Sequence, residues 1–363
     1  MKRVILLVLF GTLWVAGAVG FHTQPDNVAR HLNKTVVSED GITIYFDLFE
    51  PKHTDSDYKS EKRSAVILGH GAVVNKEVMR LMAMELAHAG LVAVAFDFRG
   101  HGRSGGDINA FADTMQPQYL WQGGDPALAL TFGFLARDIR AVKKYLEHRG
   151  DIDTANLGYV GYSMGGGAGF AQLKNDDDFR AMVGVAPAPD FRQADRVHPR
   201  NLLIIYARFD EVIHYGSVLR IMQKRTGVAA ERIEPYRLYG SFAQGTAARL
   251  YIDPYTEHLL APWDWDFVRE TRDWMVNSLL GQEARPGSDA HPLLILMLLL
   301  QVVGAMGLFF ALLGPLLDRC SIPAARKVVP PVILDKHALT DIIKGAVIHI
   351  LVLAFPCMLL ALP

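Results

Sequence analysis

Short apolar runs alternate with amphipathic stretches through the middle of the chain. Runs of four to six mainly apolar residues are typical of strands buried on both faces of a sheet. They lie at residues 65–69, 91–96, 157–160, 181–186 and 202–207, and a shorter run lies at 250–252. Apolar residues at helical spacing occupy residues 78–88, 134–148, 215–225 and 265–279. Strands and helices that alternate in this way predict parallel βαβ units, and therefore an α/β domain.

The flanks of this pattern are less regular. Residues 35–38 and 42–49 surround Glu-Asp-Gly at 39–41, which predicts a β-hairpin with an Asp-Gly turn. The polar residues 21–34 before it indicate a linker or an irregular lead-in. Residues 105–132 have no clean period, which leaves two interpretations: an insertion that roofs a site, or an ordinary surface excursion.

Three longer apolar segments lie outside this domain. Residues 4–20 follow Lys2 and Arg3, so residues 1–21 are either a signal peptide, cleavable at Ala-Gly-Ala 16–18, or an uncleaved anchor. Residues 292–317 carry no charge and are long enough to cross a bilayer. Residues 342–362 include Lys344 and His349, so a buried soluble helix is the alternative to a third transmembrane helix there.

Basic residues indicate an orientation for these segments. Residues 318–341 contain Arg319, Arg326, Lys327 and Lys336, and such loops face the cytoplasm. The basic N-terminus would lie on the same side. The domain over residues 35–280, followed by a linker at 281–291, is then predicted outside the cytoplasm, in a periplasm or at a cell surface.

Composition excludes several classes of function. The 363 residues have a formal net charge of −1, without the basic excess of a nucleic-acid-binding protein. The two cysteines, Cys320 and Cys357, do not form a disulfide framework. Metal-ligand spacings and a dinucleotide-binding glycine motif are also not evident, so we predict no cofactor. The sequence does not indicate an oligomeric state.

The pentapeptide Gly-Tyr-Ser-Met-Gly at residues 161–165 is the main candidate for chemistry. It follows an apolar run and precedes a stretch of small residues at helical spacing, which is the context of a nucleophile elbow. Gly161 and Gly165 would admit a turn too tight for Cβ atoms. The turn would raise the Ser163 hydroxyl above the sheet edge and direct a helix N-terminus at a developing oxyanion.

Four further sequence elements accompany this pentapeptide, two before it and two after it. They are His-Gly-Ala at 70–72, Asp-Phe-Arg-Gly-His-Gly-Arg-Ser at 97–104, Asp210 and His258. With them, residues 35–280 resemble the α/β-hydrolase superfamily. The branch they resemble contains monoacylglycerol lipases, lysophospholipases and serine aminopeptidase-like hydrolases. The resemblance implies an α/β-hydrolase fold, a mostly parallel twisted sheet with helices on both faces.

The resemblance also implies roles for individual residues. Ser163 would be the nucleophile, His258 the base that takes its proton, and Asp210 the acid that orients the imidazole. The backbone N–H groups of Met164 and Ala72 would form the oxyanion hole. Competing residues are Glu211 for the acid and His214 or His70 for the base.

The segment 97–104 has two interpretations. Arg99, His101 and Arg103 could bind an anion, but in this family the stretch is usually a structural turn beside the site. We favour the structural turn. Thr256-Glu257 replaces the usual small-residue approach to the histidine, and Glu257 is expected to be solvated.

The sequence therefore predicts a membrane-tethered serine hydrolase of carboxylic esters that acts through an acyl-enzyme. Its partners would be a membrane and a small-molecule or lipid ester, the lipid being suggested by location alone. A serine peptidase or amidase with the same fold is one alternative. A hydrolase-like ectodomain that only binds a partner is another.

Overall fold

The computed structural model describes residues 2–23, 27–52, 62–107, 126–188, 194–282 and 290–319. The chain forms two compact units, one of Met1–Pro25 with Asp289–Pro363 and the other of Asp26–Ser288. We call these the helical unit and the larger unit. The predicted segment 342–362, nearly all of the basic loop, and most of the 105–132 insertion lie outside the described residues.

An eight-stranded sheet forms the centre of the larger unit. Its strands are β1 (Val28–Val37), β2 (Thr43–Pro51), β3 (Arg63–Gly69), β4 (Val92–Phe96), β5 (Ile152–Tyr162), β6 (Phe179–Val185), β7 (Leu202–Ala207) and β8 (Ala248–Asp253). They are ordered β1-β2-β4-β3-β5-β6-β7-β8. β2 runs antiparallel to both neighbours, and all other pairs are parallel.

Helices cover both faces of this sheet. They are α2 (Arg80–His88), α3 (Pro126–Glu147), α4 (Met164–Leu173), α5 (Tyr215–Thr226) and α6 (Trp265–Leu280), with short 3₁₀ turns at Lys76–Met79, Ala230–Arg232 and Ala261–Trp263. Neighbouring residues of β5 point to opposite faces. Gly158 lies against Met275 of α6, whereas the ring of Tyr159 lies against Gly169 of α4. Because helices cover both faces, the central strands are apolar throughout. The predicted α/β-hydrolase fold, a mostly parallel sheet with helices on both faces, is therefore confirmed.

The expected irregular lead-in is wrong, because residues 28–34 belong to β1. This edge strand pairs with β2 along its length, with a bulge between His31 and Lys34. Asn33 has φ 56°, and its N–H donates to Asp47 Oδ1 at 2.7 Å. The bulge and the exposed polar side chains remove the alternation by which a strand is normally predicted. α3 likewise begins at Pro126, earlier than the predicted residue 134.

Two long apolar helices form the described part of the helical unit: α1 (Lys2–Thr23) and α7 (Ala290–Arg319). Among the described residues, these two are long and apolar enough to cross a membrane, and few of their residues are buried. They pack antiparallel through glycines. A Cβ at Gly17 would lie 2.5 Å from the backbone nitrogen of Gln301, and one at Gly20 would overlap Met297.

We expect a large side chain at residue 17 to separate α1 from α7. Gly17→Leu would force the two backbones apart, because the contact there is with main-chain atoms that cannot rotate away. The measurement is the yield of a disulfide between Gly20→Cys and Met297→Cys, in a chain whose two native cysteines are replaced by alanine. The yield should fall strongly in Gly17→Leu.

Gly11→Leu provides the matched control in the same helix. A Cβ at Gly11 meets nothing within 4 Å, so this substitution adds the same apolar volume without touching α7. Equal disulfide yields in the two leucine variants would contradict the described packing.

Candidate active site

Ser163 lies at the tip of a sharp turn between β5 and α4. Its φ of 49° and ψ of −114° are unusual for a residue with a side chain. The flanking glycines explain how the turn closes. A Cβ at Gly161 would come within 2.5 Å of the Gly165 carbonyl oxygen, and one at Gly165 would overlap the Gly69 carbonyl of β3. The strand–turn–helix context predicted for the motif is therefore present.

Three predicted residues from distant parts of the chain meet at this turn. His258 Nε2 lies 3.0 Å from Ser163 Oγ, and His258 Nδ1 lies 2.8 Å from Asp210 Oδ2. The side chains of His258 and Asp210 are 5% and 0% exposed. Because a carboxylate only accepts, the proton on the neutral ring belongs on Nδ1, and Nε2 is left free to accept from the serine hydroxyl. We call the edge where they meet the catalytic edge.

The loop after β7 holds Asp210 firmly. Its Oδ1 accepts the backbone N–H groups of Val212 at 2.9 Å and Ile213 at 2.7 Å, which leaves Oδ2 for the histidine. The competing residues are placed elsewhere. Glu211 and His214 are both exposed, and among the described residues neither forms a hydrogen bond or ion pair with Ser163 or His258.

The loop after β8 holds His258 through contacts that the sequence did not reveal. Glu257 is not simply solvated, because its carboxylate accepts the N–H groups of Leu259 at 2.9 Å and Leu260 at 2.8 Å. The Tyr162 hydroxyl donates to the His258 carbonyl at 3.0 Å. Tyr162 lies inside the recognised pentapeptide, yet nothing in the sequence indicates this long-range contact.

The two predicted oxyanion donors lie on either side of Ser163. Met164 opens α4, and Ala72 follows β3 on the loop that crosses the turn. Gly71 lies against the nucleophile, since a Cβ there would come within 3.2 Å of Ser163 Cβ. Within the described ranges, the N–H groups of Met164 and Ala72 donate to no protein acceptor. They are therefore available to a ligand oxygen.

His70 supports the loop after β3 and is not one of the three residues that meet at the Ser163 turn. Its Nε2 accepts the Phe98 N–H at 3.0 Å, so its proton is on Nδ1, 2.6 Å from the Gly71 carbonyl. Burial, with a smaller contribution from His101, lowers the pKa of His70 to about 3. The neutral ring thus connects the loops that follow β3 and β4 through hydrogen bonds.

The 97–104 segment is a structural turn, as favoured from the sequence. Buried Asp97 accepts the N–H groups of Lys76 at 2.8 Å and Arg103 at 3.0 Å. Arg99 is saturated by carboxylates: its guanidinium pairs with Asp138 at 2.8 Å and with Asp40 at 2.7 Å. Burial raises the pKa of the Asp138 carboxyl, which Arg99 opposes. Arg99 therefore has little capacity left for an anion.

One group of carboxylates has the proximity of a metal site. Ligand atoms of Asp253, Asp264 and Asp266 lie within 4.8 Å of one another. Two of these carboxylates accept hydrogen bonds from backbone N–H groups instead. Asp253 Oδ1 accepts the N–H groups of Tyr255 and Thr256 at 2.8 Å, and Asp264 caps α6 and accepts from the Thr256 hydroxyl. This cluster shapes the loop that carries the histidine.

Comparisons with known proteins find similarity to hydrolases. The model of the serine aminopeptidase S33 family matches residues 60–235. A monoacylglycerol lipase of Mycolicibacterium smegmatis is 28% identical over 155 residues, which are 41% of this chain and 44% of that enzyme. The chain thus matches less than half the length of this curated relative.

Solved structures of similar fold are more distant in sequence. The Pyrococcus furiosus esterase Pf2001 has a TM-score of 0.48 and 17% identity, over 68% of this chain and 92% of that one. A dienelactone hydrolase from Anabaena variabilis has a TM-score of 0.47 and 16% identity, over 70% of this chain and 100% of that one. The strand order of the larger unit and the family match over residues 60–235 agree with an α/β-hydrolase fold.

We expect Arg99 to contribute to stability and not to chemistry. Arg99→Met leaves the buried Asp138 carboxylate without its charged partner, which typically costs roughly 3 kcal/mol. The denaturation midpoint in urea should fall accordingly. Arg99→Met with Asp138→Asn should recover part of the loss, and exposed Arg103→Met should leave the midpoint nearly unchanged. A larger loss in Arg103→Met than in Arg99→Met would contradict this assignment.

Acid should destabilise the larger unit partly through His70. Its folded pKa of about 3 lies below the ordinary histidine value of 6.5, so the unfolded chain binds the proton first. The stabilisation is complete above pH 6.5 and is lost as the pH falls towards 3, at roughly 1.4 kcal/mol per pH unit. Denaturation at a series of pH values should show a shallower dependence for His70→Asn than for the natural chain. Parallel curves would argue against a neutral buried ring.

Proposed function

We propose that this α/β-hydrolase is a serine hydrolase that cleaves carboxylic esters through an acyl-enzyme. The observation that supports it most is the hydrogen-bonded series Ser163–His258–Asp210, with separations of 3.0 Å and 2.8 Å. Ser163 is only 8% exposed, and the three groups converge beside two available N–H donors. An activated nucleophile, a base and an oxyanion site are the parts that acyl transfer needs.

In the first step, Ser163 Oγ attacks the carbonyl carbon of the ester. Its proton passes to His258 Nε2, and the imidazolium that forms is stabilised by Asp210 across Nδ1. The carbonyl oxygen becomes an oxyanion, which the N–H groups of Met164 and Ala72 would bind. One such donor contributes about 3 kcal/mol to the transition state in other serine hydrolases.

Collapse of this tetrahedral intermediate breaks the bond to the alkoxy group. His258 returns the proton to the departing oxygen, and the alcohol leaves with the acyl group bound to Ser163. Water then takes the place of the alcohol, with His258 as its base. The second collapse releases the carboxylic acid and restores the serine hydroxyl.

Amide cleavage is the second candidate, and the match to the serine aminopeptidase family supports it. The same residues would protonate a departing amine, since His258 Nε2 faces the reaction in either case. Of the carboxylates near Tyr162, Asp210 pairs with His258 and Glu257 accepts two backbone N–H groups. The similarity to a monoacylglycerol lipase supports esters as the first candidate.

Attachment to a membrane is part of the proposal. By length and composition, α1 and α7 can each cross a bilayer core. With the basic residues 2–3 in the cytoplasm, the larger unit would lie on the opposite side. A cleaved α1 would still leave α7 as an anchor.

Ser163→Ala should abolish labelling by a fluorophosphonate probe and lower kcat for a short-chain ester by roughly 10⁴-fold or more, because no nucleophile remains. Asp210→Asn should lower kcat by about 10⁴-fold, since the imidazole would adopt the wrong tautomer. Labelling and hydrolysis are measured on detergent-solubilised protein.

Glu211→Gln is the matched control for the aspartate, because it removes the neighbouring carboxylate without touching the histidine. It should leave labelling and turnover unchanged. Failure of the folded natural chain to label would favour the non-catalytic ectodomain. Faster turnover of aminoacyl amides than of esters with the same acyl group would favour the peptidase.

A further inference from the structure

Tyr162, the last residue of β5 and the neighbour of Ser163, connects the nucleophile turn to the candidate base. Its hydroxyl donates to the main-chain carbonyl of His258 at 3.0 Å, across 96 residues of sequence. The peptide bond to Ser163 fixes where this side chain begins, and the bond to His258 fixes where it ends. Two hydrogen bonds therefore join the end of β5 to the base, one from the Ser163 hydroxyl and one from Tyr162.

The main chain of His258 depends on this contact. Within the ranges that the structure describes, the Tyr162 hydroxyl is the hydrogen-bond partner of that main chain, and there is no other. Asp253 and Glu257 shape the rest of the loop after β8 by accepting its own N–H groups. Those bonds do not reach β5. The position of the imidazole relative to Ser163 therefore depends on one phenolic hydroxyl in addition to the contacts among the three site residues.

The ring of Tyr162 is packed against both the base and the loop after β3. Its centroid lies 5.4 Å from that of the His258 ring, with the two planes inclined at 35°. A Cβ at Gly71 would come within 2.7 Å of the edge of the tyrosine ring, so the main chain of that loop lies directly against it. Tyr162 is only 3% exposed. A rigid ring packed in this way holds its hydroxyl at a fixed distance from Ser163.

The hydroxyl of Tyr162 is a permanent donor that is already in use. Burial, with smaller contributions from Asp210 and Glu257, raises the pKa of Tyr162 well above its ordinary value. The group therefore keeps its proton throughout the pH range in which a histidine titrates. A tyrosine hydroxyl has a single proton to donate, and here the His258 carbonyl accepts it. The hydroxyl is thus suited to holding the base and not to binding a substrate.

A second tyrosine makes the same kind of bond on the loop that carries the acid. The hydroxyl of Tyr206, near the end of β7, donates to the Ile213 carbonyl at 3.0 Å, and the Ile213 N–H donates to Asp210 Oδ1 at 2.7 Å. Both tyrosines are buried near the carboxyl ends of parallel strands. Tyr206 acts on the acid through an intervening residue, whereas Tyr162 binds the base residue itself.

We propose that Tyr162 is a positioning residue that holds His258 Nε2 within reach of the Ser163 hydroxyl. This inference rests on the serine hydrolase function proposed above, and it identifies a group that acts through the base without touching the substrate. Loss of the hydroxyl would leave the carbonyl of buried His258 without a donor. The loop would then relax, and the imidazole would spend less time in line with the nucleophile.

The first test is kinetic and uses Tyr162→Phe, which removes the hydroxyl and keeps the ring. In the detergent-solubilised full chain, kcat for a short-chain ester should fall about tenfold or more, because His258 serves both acylation and deacylation. KM should stay within about twofold, because no group that binds the ester is changed. Turnover is normalised to the serines labelled at the end point by a fluorophosphonate, so that unfolded protein is not counted.

Tyr236→Phe is the matched control for this substitution. The Tyr236 hydroxyl donates to the Ile252 carbonyl of β8 at 2.6 Å, so the control removes a bond of the same type that involves none of the three site residues. It should leave kcat and KM unchanged.

The second test follows the base without any ester. Ser163→Cys is made in a chain whose two native cysteines are replaced by alanine, and its alkylation by iodoacetamide is measured against pH. A thiol beside an imidazolium titrates below its ordinary value of about 8.5. Adding Tyr162→Phe should move the alkylation profile up by about one pH unit towards that value, because the histidine is held less closely. Adding Tyr236→Phe should not move it.

The possible failures are distinguishable. Tyr162→Phe with a kcat close to that of the natural chain, or with an unchanged alkylation profile, would overturn the inference. A Tyr162→Phe chain that yields no labelled serine, while the Tyr236→Phe chain labels fully, would also overturn it, because the hydroxyl would then be required for folding. Absence of labelling in the natural chain, together with an ordinary thiol titration of Ser163→Cys beside an intact Tyr162, would instead reject the serine hydrolase proposal.

Discussion

The close approach of two backbone segments at the turn after β5 determines the rest of the site. Gly165 lies so near the Gly69 carbonyl that no side chain fits between them, and its N–H donates to the His70 carbonyl at 3.1 Å. This contact joins the nucleophile turn to the loop after β3. Parallel pairing of β3 with β5 brings the two loops to the same edge. Because Gly165 lacks a Cβ, the candidate oxyanion donors can flank Ser163.

Carboxylates hold the other loops of the catalytic edge in place by accepting backbone N–H groups. Asp97 does so after β4, Asp210 after β7, and Asp253 and Glu257 after β8. A charged acceptor makes a stronger hydrogen bond than a neutral one, and two per carboxylate fix a turn without regular structure. Of these four carboxylates, the one that also pairs with a histidine among the described residues is Asp210. The same residue type thus has a structural role on several loops and a proposed chemical role on one.

A feature could be predicted from the sequence where it leaves a local pattern of residues, and could not where it depends on contacts between distant segments. The central strands are buried on both faces, so their apolar runs were visible. The first part of β1, residues 28–34, was missed because it belongs to an edge strand with a bulge and exposed polar side chains. Ser163 was visible because its turn is local. Asp210 and His258 lie far away in sequence, so their assignment needed the family's order, and the caps made by Glu257 have no local signature.

The direction of the strands also explains why candidate residues far apart in the sequence meet at one place. The parallel strands end at one edge of the sheet, and catalytic loops in such sheets follow the carboxyl ends of the strands. The loops after β5, β7 and β8 therefore bring Ser163, Asp210 and His258 within hydrogen-bond distance of one another, although 95 residues separate Ser163 from His258. Antiparallel pairing would send successive loops to opposite edges of the sheet, so the proposed chemistry depends on the parallel topology.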